Sequence, residues 1–356
     1  MKFSLDTLNK YIEDGLVIKQ SHPTLPLSIY NYSRTCQFDK AWDEITLNCR
    51  GLILDDKGNV VARPFSKFFN MEEIPENHIP KESFEVFEKM DGSLGIIFNY
   101  NLEWIFATRG SFTSDQAIKA KEIFYNHHDD LLLSRSNTYL FEIIYPENRI
   151  VVDYGNEEKL VMLAEIHTES GEELDVTFNT ELGFNVVKKY DGINNFKTLK
   201  QMVGDNSEGF IVRFKNGFRM KIKGEEYVRL HRILTNFSSK DIWECLKKGD
   251  DLSKILDNVP DEFDVWVKNT IRDLKHAYYQ INEYARKKYD YFMYGKYNDK
   301  EPITDKKIFA QWVLKQEGYI QPILFKMFDK KDYSNIIWDM IKPKYEKPFW
   351  NKETTI

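Results

Sequence analysis

Apolar positions follow two different rhythms along this chain. Up to about Leu230 they come in short runs, often alternating with polar residues and broken by Gly, Pro, Asn or Asp. That pattern predicts strands with a few helices. A first helix is expected over residues 4–13, where Ser4 can cap and Leu5, Leu8 and Ile12 share a face. Leu27 to Ser33 reads as a strand. Thr46 to Leu54 and Val60 to Ala62 read as a hairpin around Asp55-Asp56-Lys57-Gly58. Phe84, Val86 and Phe87, then Leu94 to Phe98, then Trp104 to Ala107 give three more strands, with Asn99-Tyr100-Asn101 as a turn. A helix capped by Ser114 is predicted to run to about His127. Tyr139 to Ile144, Arg149 to Asp153 and Val161 to Ile166 are strand-like, residues 195–203 suit a short helix, and Glu208 to Lys223 forms a hairpin around Asn216-Gly217.

After residue 237 the period lengthens. Ser238 begins a helical pattern in which Ile242, Leu246 and Ile255 recur, and Val265 to Lys288 keeps Val267, Ile271, Leu274, Tyr278, Ile281 and Tyr284 on one side. Ile308 to Gln316 and Ile320 to Phe328 continue it. The expected fold class is therefore α+β for residues 1–237, with antiparallel sheets flanked by helices, followed by an all-α domain over residues 238–356.

Composition narrows the picture. No apolar run of the 356 residues approaches the length of a membrane span. Cys36, Cys49 and Cys245 are far apart and odd in number, which argues against a disulfide or zinc framework. With no secretory pattern near Met1, a cytoplasmic protein is the expectation. Residues 1–237 carry 28 Lys+Arg against 36 Asp+Glu, and residues 238–356 carry 22 against 20. Any nucleic acid must therefore bind local clusters of cations.

The candidate chemistry gathers around Lys89-Met90-Asp91-Gly92, where a lysine ends a strand just before a turn. Gly92 is expected there because it tolerates positive φ. Other charges interrupt apolar runs, where a charge is costly unless partnered. Glu142 lies in Leu140-Phe141-Glu142-Ile143-Ile144, and Glu208 opens a strand before Gly209. Lys221 and Lys223 alternate with Met220 and Ile222, so both project from one face of a strand. Two like charges on one face make sense where a polyanion binds between them and the carboxylates. The plainer alternatives are a solvated turn at Lys89, a solvated face at Lys221 and Lys223, and an edge carboxylate at Glu142 paired with Arg149.

Taken in order, Lys89-x-Asp91-Gly92, Arg109-Gly110-Ser111, Phe141-Glu142, Glu208-Gly209-Phe210 and Lys221-Ile222-Lys223 resemble the motif set of covalent nucleotidyltransferases. Cys49-Arg50-Gly51, Pro64 to Asn70 and Tyr227 are most similar to the bacteriophage tRNA-repair type of ATP-dependent RNA ligase. The resemblance covers roughly residues 45–230. It implies a ligase adenylation domain in which Lys89 attacks the α-phosphate of ATP to form lysyl–AMP. A free lysine, with a pKa of about 10.4, is almost wholly protonated at neutral pH. Lys221 and Lys223 are implied both to lower the pKa of Lys89 and to neutralise the phosphate. Mg²⁺, or Mn²⁺ in its place, is implied on Glu208 and Glu142, with the ribose hydroxyls as the other role for Glu142. Arg50 and Lys67 are implied to contact the nucleotide, Phe68 or Phe69 to line the adenine pocket, and Tyr227 to orient the phosphate end. The implied reaction joins RNA 3′-hydroxyl and 5′-phosphate ends in single-stranded or broken-loop RNA such as tRNA. An end-healing kinase or phosphatase is the implied partner, and the helical domain the part that chooses the RNA. Arg286-Lys287-Lys288 is either a solvated helix face or a contact to RNA phosphates. Two rival readings remain at this point: a capping-type or DNA-type nucleotidyltransferase, and a non-catalytic RNA-binding protein keeping the fold.

Overall fold

A computed structural model describes residues 3–128, 133–180, 183–252, 259, 261–295 and 305–346. Two compact units, Met1–Arg229 and Leu230–Ile356, make up the chain. Ile255, one of the helix-patterned residues, lies outside the described residues.

The first unit holds three sheets. In the first, Val17–Ser21 (β1), Leu27–Tyr32 (β2), Arg50–Asp55 (β3) and Val60–Ala62 (β4) pair antiparallel in chain order. Phe69–Asn70 (β5), Phe84–Lys89 (β6), Ser93–Tyr100 (β7), Glu103–Thr108 (β8), Asn137–Ile144 (β9), Lys159–His167 (β10), Glu173–Leu174 (β11), Asn185–Val186 (β12), Lys189–Tyr190 (β13), Gly209–Phe214 (β14) and Arg219–Lys223 (β15) build the other two. The second sheet runs β11-β10-β9-β7-β8 with β12 against β10, and the third runs β13-β6-β14-β15-β5. Both are antiparallel apart from the two-residue strands β12 and β5.

The unit's larger helices are Leu5–Glu13 (α1), Arg34–Asp39 (α2), Glu44–Asn48 (α3) and Asp115–His127 (α4). Ser4 and Ser114 cap α1 and α4 as predicted, each accepting a backbone N–H three residues on. Three expectations need correcting. Thr46 to Asn48 is helical, because Asp43 and Thr46 form a reciprocal capping box that overrides the β-branched pattern. Arg149 to Asp153 is not a strand, since the amides of Val151 and Val152 are taken by a carboxylate described below. The turn between β7 and β8 falls on Asn101 and Leu102, both at positive φ, so β7 continues through Tyr100.

Period-two alternation in the third sheet decides where chemistry can occur. Val86, Phe210, Val212, Phe214, Met220 and Ile222 enter an apolar core. The residues between them (Phe87, Lys89, Ile211, Arg213, Arg219, Lys221 and Lys223) line a cleft of about 1420 Å³. Leu94, Glu142 and Leu163 of the second sheet line it too.

The helix Glu225–Asn236 (α5) carries the division between the units. In the second unit, Ser239–Lys248 (α6), Asp261–Tyr294 (α7), Lys306–Val313 (α8), Gln321–Phe328 (α9) and Ser334–Met340 (α10) are the regular elements among the described residues. Val267 and Leu274 are buried, as their spacing predicts. Met293, Phe309, Val313, Ile320 and Leu324 form one core, and Ala285, Ile323 and Ile337 another. No helix among the described residues is long and apolar enough to cross a membrane.

Candidate active site

Strand register brings the candidate side chains together. Gly209 on the central strand β14 pairs with Lys89 of β6 on one side and Lys223 of β15 on the other. Its φ is +141°, and a Cβ there would lie 2.0 Å from the Ile222 carbonyl oxygen, so only glycine lets the strands approach this closely. The adjacent Glu208 is buried, and its carboxylate is shared. Oε2 lies 2.6 Å from Lys89 Nζ and Oε1 2.8 Å from Lys223 Nζ. Burial pushes Glu208 up, but the two ammonium groups outweigh it and hold the carboxyl below its ordinary value.

Lys221 is two residues from Lys223 on the same face. Burial, followed by repulsion from Lys67, Lys89, Lys223 and Arg50, brings its pKa down to about 7. Glu142 moves the opposite way. Burial raises its pKa to about 7, with Glu208 adding repulsion and Lys89 opposing the rise. Its Oε1 accepts the Gly92 amide at 2.9 Å. Arg149 instead forms an ion pair with Asp153, at 3.2 Å.

The Lys89 turn is held by Asp91, Tyr154 and two valine amides, none of which sequence reasoning assigned, and by Tyr227, expected at the phosphate end. Asp91 is buried, and its Oδ2 accepts the amides of Val151 and Val152, each at 2.9 Å. Its Oδ1 accepts the Tyr227 hydroxyl at 2.7 Å, and its own amide donates to Tyr154 at 2.9 Å. Tyr227 thus acts on the turn rather than lining the cleft. Gly92 is not at positive φ, which corrects the expectation. Glycine is required there because a Cβ would meet the Ile143 carbonyl oxygen at 2.6 Å.

The remaining candidates divide. Arg50 lines the cleft, 5.4 Å above the Phe68 ring, and its buried Nη1 has no hydrogen-bond partner among the described residues. Burial lowers its pKa from the ordinary arginine value. Lys221 Nζ lies 5.7 Å from the centre of the same ring, so of the two neighbouring phenylalanines it is Phe68, not Phe69, that lines the cleft. Phe69 stacks edge-on with Trp42, and Lys67 Nζ lies 5.2 to 5.3 Å from the rings of Tyr32, Trp42 and Phe69. Neither Lys67 nor Phe69 lines the cleft. Arg109 does line it, and donates to the Tyr32 hydroxyl at 3.2 Å.

Another cluster went unassigned. Glu173 of β11 forms ion pairs with both Arg213 of β14 and Arg219 of β15, joining the second sheet to the third. Arg213 also reaches Glu85 at 2.5 Å. The alternation that picked out Lys221 and Lys223 extends to Arg219 and would have flagged it; Glu173 left no such signal.

No group of three or more His, Cys, Asp or Glu side chains that could hold a metal forms among the described residues. Two carboxylates still suit Mg²⁺, which completes its oxygen shell with water and substrate phosphates.

A family profile described as "RNA ligase" matches residues 48–227. The chain belongs to the RNA ligase family. An RNA ligase of Rhodothermus phage RM378 is 24% identical over 345 residues, covering 74% of this chain and 76% of that protein. A protein described as a bifunctional polynucleotide kinase/RNA ligase of Autographa californica nuclear polyhedrosis virus is 31% identical over 242 residues. That match covers 58% of this chain and only 33% of the viral protein. Among solved structures, a protein described as an ATP-dependent DNA ligase from Aquifex aeolicus aligns with a TM-score of 0.50 and 12% identity. The alignment covers 93% of this chain and 100% of that one, and supports the fold alone.

Proposed function

We propose that this member of the RNA ligase family is an ATP-dependent enzyme sealing RNA 3′-hydroxyl and 5′-phosphate ends through lysyl–AMP and RNA-adenylate intermediates. The reading is carried by one observation: Glu208 holds Lys89 and Lys223 within 2.6 and 2.8 Å of a single carboxylate, in a cleft also lined by Lys221 and Glu142. In the first step Lys89 Nζ, having released a proton to solvent, bonds to the α-phosphorus of ATP as the bond to pyrophosphate breaks. Lys221 and Lys223 neutralise charge at the reacting phosphorus, and the bound triphosphate favours the ammonium form of Lys221. Arg50 brings a buried N–H without a partner, suited to the outgoing phosphates. Glu208 and Glu142 are the residues that would hold Mg²⁺, or Mn²⁺, which supplies charge neutralisation at phosphate oxygens. AMP then passes to an RNA 5′-phosphate, and an RNA 3′-hydroxyl displaces it. Each step is an in-line displacement at phosphorus, so one set of cations serves all three. The helical domain, placed at residues 238–356 from the sequence, is assigned the choice of RNA, with broken tRNA loops as the substrate class and an end-healing kinase or phosphatase acting beforehand.

Incubation with α-labelled ATP or GTP and Mg²⁺, followed by denaturation, tests the reading. Covalent label from ATP, lost in Lys89→Ala, is the expected result. Label from GTP alone would favour a capping enzyme, and no label from either nucleotide a binding protein. Persistent label in Lys89→Ala would overturn the site assignment.

A further inference from the structure

Within the helical unit, two segments remote in sequence lie side by side and bring lysines and aromatic rings into one patch. The Ser239 amide donates to the Glu346 carbonyl at 2.9 Å, and its Oγ donates to the Lys344 carbonyl at 2.7 Å. Trp243 Nε1 donates to the Trp338 carbonyl at 2.7 Å. These bonds fix residues 342–346 against α6. The ammonium groups of Lys342 and Lys247 lie 4.9 and 5.1 Å from the Trp243 ring centre, and that of Lys240 lies 5.9 Å from the Tyr345 ring.

The nearby carboxylates are largely committed. Asp339 pairs with Lys247 at 2.5 Å, Glu244 with Lys248 at 3.8 Å, and Asp241 accepts the Ser238 amide at 2.8 Å. Glu346 is exposed on the same segment. Lys240, Lys342 and Lys344 have no carboxylate within 4.0 Å among the described residues. Lys240, Lys342 and Lys344, carried on backbone that these bonds hold, outnumber the unpaired carboxylates Asp241 and Glu346 beside them, and such local excess of positive charge attracts a polyanion. Pro343 keeps residue 342 extended, which spaces Lys342 and Lys344 by about 6–7 Å along the chain. Tyr345 is 46% exposed, leaving ring surface for a base to stack on.

We propose that this patch binds a single-stranded stretch of the RNA substrate, with backbone phosphates on Lys240, Lys342 and Lys344 and a base on Tyr345. The identity of the polyanion rests on the ligase reading; the patch itself does not.

Binding of a fluorescein-labelled single-stranded oligoribonucleotide to the full chain, measured across ionic strength, tests the proposal. A triple variant, Lys240→Gln with Lys342→Gln and Lys344→Gln, should weaken binding and flatten the log–log salt slope by about 2, at roughly 0.7 per lost phosphate contact. Tyr345→Ala should weaken binding roughly ten-fold, and Tyr345→Trp should restore it. Helical circular dichroism and labelling of Lys89 by ATP should be unchanged in all of them. An unchanged salt slope in a folded triple variant sinks the patch, and a Tyr345→Ala loss equal for RNA and for heparin sinks the stacked base. Should the wild-type chain take no label from ATP, the ligase reading fails while the slope comparison still decides the patch.

Discussion

Glu142 and Lys221 are held at pKa values of about 7 from opposite directions, one raised and one lowered, mainly by burial. A carboxyl whose folded pKa is raised costs stability as pH climbs from its unfolded value, near 4.3, through about 7. Glu142→Gln keeps an oxygen to accept the Gly92 amide and removes that cost. Its melting temperature, by calorimetry of the ligand-free chain, should match wild type near pH 4 and exceed it by a few degrees at pH 8. Labelling by ATP should be lost in the same variant. Lys221 predicts a proton effect of the other sign. At pH 8 the free amine is mostly neutral, so binding ATP without metal should take up close to one proton. Titration calorimetry in buffers of different ionisation enthalpy reads this uptake, and Lys221→Met should abolish it.

At the scale of elements, the site depends on how closely three strands approach. Gly209→Ala would place a Cβ 2.0 Å from the Ile222 carbonyl at a φ that L side chains rarely adopt. It should cost more than about 1 kcal/mol of stability in chemical denaturation and eliminate labelling. Glu173 joins two sheets through Arg213 and Arg219, so Glu173→Ala should loosen one part of the cleft wall. The expected signature is a raised KM for ATP with a smaller change in kcat. Much of this was legible in the sequence. The hairpin of β14 and β15, the strands around Lys89 and the caps of α1 and α4 follow from alternation, an Asn-Gly turn and local hydrogen-bonding chemistry. What escaped has a physical reason. The α3 capping box is a local bond that hydrophobic period does not encode. Asp91 reaches residues sixty and more positions away, and its turn dipeptide looks like any other. Phe68 and Phe69 are adjacent in sequence, and strand geometry alone separated the cleft ring from the one beside Trp42.

At the scale of the molecule, the acidic first part and the slightly basic remainder differ in how salt should act on them. On the proposed mechanism, labelling by ATP would take place inside a cleft, where mobile ions screen weakly, whereas contacts to RNA phosphates release counter-ions. Raising ionic strength should therefore depress RNA sealing steeply and lysine labelling only slightly, a difference visible when both assays are run on one preparation. The anchoring of Asp91 has another outcome. Val151 and Val152 give their N–H groups to that one carboxylate instead of to a neighbouring strand. Their exchange with deuterated solvent should be slow only while the Asp91 turn beside Lys89 keeps its shape. Two valine amides well away in sequence thus offer a clock for the integrity of the turn after Lys89, readable with no substrate present.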